Sequence, residues 1–179
     1  MQATSIFATI ANDGVKVTPT LIAGHSDAAG RYTPSNKQSS QRVISKETAA
    51  KMRLMMESVV SASGTAPGAA ITGYRVAGKT GTARRVDDAC GCYRGYTASF
   101  IGFAPADAPK YVVSVTIQDP KGIYYGGYLG GPVFKEVMSF VLKDQRIPPT
   151  PKAKELYALD EKSLAKKIAQ QSRVPESKP

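Results

Sequence analysis

Lys79-Thr80-Gly81-Thr82 is the part of the chain whose residue types and spacing can do chemistry. It closes the run Gly73-Tyr-Arg-Val-Ala-Gly-Lys-Thr-Gly-Thr-Ala83, β-branched and apolar before the lysine. On a strand, Lys79 and Gly81 project to one face and Thr80 and Thr82 to the other. If that strand lies at a sheet edge, its unpaired N–H and C=O groups face a cleft, and an extended peptide can dock there as an added strand. Gly81 keeps side-chain bulk away from such an approach. Lys79 places a positive charge beside the cleft, where it can hold a carboxylate and favour proton movement on a neighbouring hydroxyl. Thr80 and Thr82 offer hydroxyls to the same carboxylate. A lone K-T-G is weak evidence, and a solvated strand-end lysine is the competing reading, so the surroundings decide.

The elements around it read as α+β, with helices on one face of an antiparallel sheet. Ile6, Phe7 and Ile10 fall at helical spacing within 1–12, and Asn12-Asp-Gly14 supplies a left-handed stop. That helix has hardly room for its own start signal, so the chain is expected to begin inside an element. Residues 15–23 read as extended, with Pro19 unsuited to a central ladder. Residues 24–41 read as an exposed loop or loose hairpin, where His25 has no catalytic role. Ser45 is an N-cap for a helix over 46–60, with Met52, Met55, Met56, Val59 and Val60 as one apolar stripe of core filler.

A breaker-rich connection, 61–68, leads into the motif strand at about 71–86. A polar turn over 84–95 is followed by strands at 96–104 and 110–118, an antiparallel meander. Gly130-Gly-Pro132 opens a helix at about 132–143, with Val133, Phe134, Val137, Phe140 and Val141 as its apolar face. Residues 1–145 then form one folded portion. Residues 146–179, rich in Lys, Glu, Gln and Pro, are expected to be a mobile tail.

With 179 residues, 42% of them hydrophobic and 21% charged, the chain has an ordinary globular composition. Its net charge of +10 is spread along the whole length, with no block of five like charges and no aromatic-interleaved basic stripe. No nucleic-acid partner is expected, and a cationic surface suits an anionic envelope or is simply solvated. No apolar run approaches a membrane span and no leader is legible. Cys90-Gly91-Cys92 is either a merely local loop pair or a disulfide that pins the loop beside the site. The pair and the distant His25 supply too few ligands for a metal.

K-T-G in this context resembles the third active-site motif of the serine penicillin-recognising enzymes, beside S-x-x-K and S-x-N. Ala11-Asn12-Asp13-Gly14, Phe100-Ile-Gly-Phe-Ala-Pro105, Tyr124-Tyr-Gly-Gly127 and Gly131-Pro-Val-Phe134 extend the likeness. They are similar, in order and over roughly residues 1–150, to the C-terminal half of the transpeptidase domain of a class B penicillin-binding protein. The C-G-C-Y segment resembles actinobacterial versions. The flanking Val-Ala-Gly and Thr-Ala also match, which weighs against a merely solvated Lys79.

The resemblance implies a peptidoglycan D,D-transpeptidase of the septal, cell-division type, using no cofactor. Lys79, Thr80, Gly81 and Thr82 would bind substrate. Lys79 and Thr82 would also be catalytic, the Thr82 backbone N–H serving as an oxyanion-hole donor. The implied partners are the D-Ala-D-Ala stem peptide, β-lactams and division proteins. The parent would be membrane-anchored and act outside the cytoplasm.

Residues 1–78 contain neither S-x-x-K nor S-x-N. Ser163-Leu-Ala-Lys166 follows K-T-G, the wrong order, and reads as coincidence. The chain is therefore expected to be a fragment of a longer protein, with Met1 internal, to need the N-terminal part of that protein, and to be inert alone. The alternatives are a non-catalytic binding or scaffolding module, and a β-lactamase or β-lactam-sensor relative.

Overall fold

Two hydrophobic clusters lie back to back on the faces of one three-stranded antiparallel sheet in the computed structural model, which describes residues 1–35 and 39–150. The sheet is formed by β5 (Ala77–Asp87), β6 (Cys92–Ala104) and β7 (Tyr111–Gln118). They lie in that order, with β6 central and β5 at an edge. Before them come α1 (Gln2–Ala11), β1 (Val15–Val17), β2 (Gly24–Ser26), β3 (Tyr32–Pro34), β4 (Ser40–Arg42) and α2 (Lys46–Glu57). Short 3-10 turns at Ser58–Val60 and Pro67–Ala69 lead to the sheet, and α3 (Gly126–Asp144) follows it.

Side-chain alternation along β6 explains the layering. Phe100 and Ala104 pack with Phe134, Met138 and Leu142 of α3 on one face. Phe103 on the other face packs with Ile10 of α1 and Met56 of α2. The α+β reading holds. The expectation that helices cover only one face does not, because both faces of the central strand are apolar and each needs a cover.

The first helix ends as its Asn-Asp-Gly signal predicts: Asp13 and Gly14 have φ of 51° and 83°. Arg53 of α2 bonds the Asp13 carboxylate at 2.7 Å and Lys46 lies 3.5 Å from it. The Arg53 hydrogen bond holds that carboxyl below its usual range. The turn is therefore the joint between α1 and α2. Ser45 caps α2, its Oγ accepting from the Thr48 N–H at 3.1 Å.

Of the expected stripe, Met56 and Val60 are buried, but Met55 is 48% exposed, because α1 and the sheet cover a narrower arc than the five positions span. Residues 24–35 form a β2–β3 hairpin, with His25 exposed in β2, while β4 pairs with β1. The motif strand begins at Ala77 rather than 71. Gly73 (φ 82°) turns the chain, and Arg75 is drawn aside into a bidentate pair with Glu57 at 2.6 and 2.9 Å.

The expected polar turn at 84–95 is mostly strand. β5 runs to Asp87 and β6 starts at Cys92, with a register irregularity between Arg84 and Val86. Cross-strand pairing carries polar residues that local propensity assigns to a loop. Cys90 and Cys92 form a disulfide at this hairpin tip. Asp87, opposite Cys92, lies six residues past Gly81, about 20 Å along the strand, so the bridge does not pin a loop beside K-T-G.

α3 departs most from expectation. It starts at Gly126, so Pro132 lies inside it rather than in its first turn. Its buried face is Gly126, Gly127, Gly130, Gly131, Phe134, Met138 and Leu142. Val133, Val137 and Phe140, expected to face the sheet, are 45%, 43% and 69% exposed. The glycines let the first half of the helix settle directly on the strands. A Cβ at Gly130 would lie 2.8 Å from Phe100 Cβ and 3.0 Å from Phe100 N.

Gly130→Ala is therefore expected to lower stability. Alanine regains about 1 kcal/mol of helix propensity. Overpacking against central-strand backbone costs about 1–3 kcal/mol. The melting temperature should fall by a few degrees, and a variant melting at or above the parent would show that the helix does not approach β6 this closely. After α3, Ile147 packs on the core and the Thr150 N–H bonds Gly73 O at 2.9 Å. Ser163, Lys166 and the remainder of the expected tail, 151–179, lie outside the described residues.

Candidate functional site

β5 pairs only with β6 among the described residues, so one side of the K-T-G strand is open. Lys79 stands opposite Ile101, Thr80 opposite Phe100, Gly81 opposite Ser99 and Thr82 opposite Ala98. Lys79 Nζ donates to Thr80 O at 3.0 Å, which places the Thr80 carbonyl on the open side. In an antiparallel strand one residue's N–H and C=O point the same way, and the direction alternates. The N–H and C=O of Thr82 therefore share that open side, while those of Lys79 and Gly81 turn toward β6.

The side chains divide between the faces as the period of two requires. Thr80 and Thr82 lie on the α3 face. Thr80 Oγ1 is 3.2 Å from Thr65 Oγ1, and Thr82 Oγ1 accepts from the Gly126 N–H at 3.2 Å. Lys79 and Gly81 lie on the opposite face. A Cβ at Gly81 would overlap Ser99 Oγ, so this glycine also makes room for its cross-strand neighbour. Lys79 and Thr82 are exposed, and Thr80 and Gly81 half-buried. The four residues are thus brought to one accessible edge. Lys79 Nζ also donates to Thr80 Oγ1 at 3.3 Å, joining lysine, Thr80 and Thr65 in one chain of polar contacts.

Sequence reasoning missed three contributors. Thr65 comes from the 61–68 stretch read only as a connection. Gly126 is the first residue of α3, whose N-cap residue Tyr125 makes no side-chain cap, so Thr82 performs that service from another element. Tyr96, opposite Arg84 on β6, stacks on Tyr124 with centroids 4.1 Å apart and planes 8° from parallel. Tyr124 in turn lies 4.7 Å from Tyr125. No spacing signal marks Thr65. The Tyr-Tyr-Gly-Gly segment was visible, but its partner on β6 was not.

The arrangement presents one lysine charge, two threonine hydroxyls and a row of unpaired backbone groups along an open edge. Such an edge can align an extended peptide and hold an anionic end. Among the described residues no group of three or more His, Cys, Asp or Glu is placed to hold a metal ion. Likewise, no described helix is long and apolar enough to cross a membrane.

The family model for the penicillin-binding protein transpeptidase domain matches residues 1–139. The penicillin-binding protein PbpB of Mycolicibacterium smegmatis is 39% identical over 161 residues, covering 84% of this chain and 25% of that protein. A probable peptidoglycan D,D-transpeptidase PenA of Neisseria flavescens is 46% identical over 111 residues, covering 62% of this chain and 28% of that protein. Penicillin-binding protein 3 of Mycobacterium tuberculosis, solved in complex with ampicillin, superposes with a TM-score of 0.76 at 34% identity. That match covers 84% of this chain and 36% of the solved one. The chain thus spans about a quarter of the length of the curated relatives it matches.

Proposed function

The chain belongs to the penicillin-binding protein transpeptidase family, and from that premise we propose that it is the K-T-G-bearing part of a peptidoglycan D,D-transpeptidase acting in septal wall synthesis. The observation that carries the reading is the open edge at Lys79–Thr82, where a lysine, two hydroxyls and outward backbone groups converge. In the reaction a serine attacks the carbonyl of the D-Ala-D-Ala bond of a stem peptide, D-alanine leaves, and the acyl group passes to an amine of a neighbouring strand. β-lactams imitate that substrate and trap the serine as an acyl-enzyme.

The residues of this chain bind and polarise. The stem peptide lies along β5 as an added strand, its terminal carboxylate against Lys79 and the Thr80 and Thr82 hydroxyls. The Thr82 N–H, on the open side, donates to the oxyanion as the tetrahedral intermediate forms. One such donor is worth about 10² to 10³ in rate. Lys79 and Thr82 are therefore the catalytic residues here, and Thr80 and Gly81 complete the substrate edge. The nucleophilic serine, its lysine and the S-x-N motif come from sequence outside these 179 residues. The membrane anchor and the contacts with division proteins come from that sequence as well, and the domain works outside the cytoplasm.

The test is intact-mass measurement of the complete protein after exposure to a fluorescent penicillin. One persistent adduct per chain, on a serine upstream of residue 1, is the expected result. No adduct would leave a binding or scaffolding module, and rapid catalytic turnover of the penicillin would make the protein a β-lactamase relative.

A further inference from the structure

We propose that Thr65 is a positioning residue of this site: through its hydroxyl it sets the direction of the Thr80 hydroxyl, and so the grip of the K-T-G edge on a carboxylate. The inference rests on the transpeptidase reading and adds a residue fifteen positions before the motif. Thr65 lies between the two 3-10 turns, and the peptide unit that follows it is held. The next residue, Ala66, is fully buried, and its N–H bonds Val59 O at 2.9 Å. The Thr65 carbonyl occupies the space that a Cβ at Gly127 would need, so α3 closes on it directly. The hydroxyl is thus presented to Thr80 from a fixed backbone.

Counting protons shows what it does. A hydroxyl has one proton to donate and two lone pairs to accept with, and an ammonium group can only donate. Lys79 Nζ, 3.3 Å from Thr80 Oγ1, therefore occupies one of that oxygen's lone pairs. Thr65 Oγ1 lies 3.2 Å away, where either hydroxyl can be the donor; with Thr65 donating, it fills the second. Thr80 is then a double acceptor whose single proton has no partner among these groups and is left for an incoming anionic oxygen. A carboxylate drawn to Lys79 takes that proton in a charge-assisted hydrogen bond, the strong kind. Without the Thr65 hydroxyl, that second lone pair is left without a donor and nothing in the trio fixes the direction of the Thr80 proton.

The test uses the complete protein with Thr65→Val, close in shape but without the hydroxyl, and Thr65→Ser, which keeps it. Second-order acylation rates are measured with a penicillin and with its carboxylate methyl ester. For the free carboxylate, Thr65→Val is expected to be slower by about tenfold, the worth of one hydrogen bond to a charged group. Thr65→Ser should stay within about threefold, because serine restores the donor. For the ester, both variants should match the parent. Equal parent and valine rates on the free carboxylate overturn the proposal, as does an equal loss on acid and ester, which marks a merely structural effect. A parent protein that does not acylate at all removes the transpeptidase reading and this proposal with it, whereas a reactive parent with an indifferent Thr65 removes this proposal alone.

Discussion

Lys79→Ala in the complete protein is expected to slow acylation by labelled penicillin by about a hundredfold or more while leaving the fold intact. The side chain reaches the open edge of β5, where it donates to Thr80 O and Thr80 Oγ1. An incoming carboxylate would lose its charged partner, and the Thr80 hydroxyl would lose one of the two groups that contact it. Loss of one positioned electrostatic group in a catalytic site typically costs on the order of 10² to 10³ in rate. Lys79 is exposed and absent from both core clusters, so the change in stability should stay within about 0.5 kcal/mol, the scale of ordinary surface substitutions. Stopped-flow or gel-based acylation beside a thermal melt separates the two effects. Unchanged acylation would remove Lys79 from the site, and a large fall in melting temperature would make it a structural residue.

The second large effect concerns the 179 residues taken alone, which are expected to form no covalent adduct with a fluorescent penicillin. Nucleophilic acyl transfer needs a hydroxyl activated by a held base. Among the described residues the hydroxyl bonded to Lys79 is that of Thr80, and it is engaged with Thr65 on the face away from the lysine's own. Low solubility is expected as well. Leu21 is 93% exposed, and Ile22, Tyr128 and Phe140 are also open to solvent. Apolar surface of this kind favours association with a partner or aggregation. An adduct on any serine of this chain, by intact mass and peptide mapping, would show that a complete nucleophilic site lies within it.

Much of the site was legible because its signals are short-range. Alternation of side chains and β-branched content mark β5, and the chain order of three strands with brief turns yields the antiparallel meander, while the edge position of β5, a condition in the sequence, is supplied by the structure. The K-T-G residues were therefore assigned to the right faces without any knowledge of their neighbours. Ser45 and Asn12-Asp-Gly14 were equally readable, since a cap and a left-handed turn involve residues only a few positions apart.

What failed shares a different cause. Apolar-stripe counting scores side chains, so it favoured Val133, Val137 and Phe140, whereas the sheet took the face of Gly126, Gly127, Gly130 and Gly131. Glycine carries no hydropathy signal, and its value here is the missing Cβ, which only the approach of α3 to Phe100 reveals. The same holds for the polar contacts. Thr65 meets Thr80 across fifteen residues and Thr82 meets Gly126 across forty-four. By itself the sequence determined that K-T-G lies on a strand and which of its residues point to each face, because backbone geometry repeats every two residues. Which hydroxyls steady that strand, and which face of α3 is buried, was decided only by the tertiary structure, where close packing brings together groups that no local period relates.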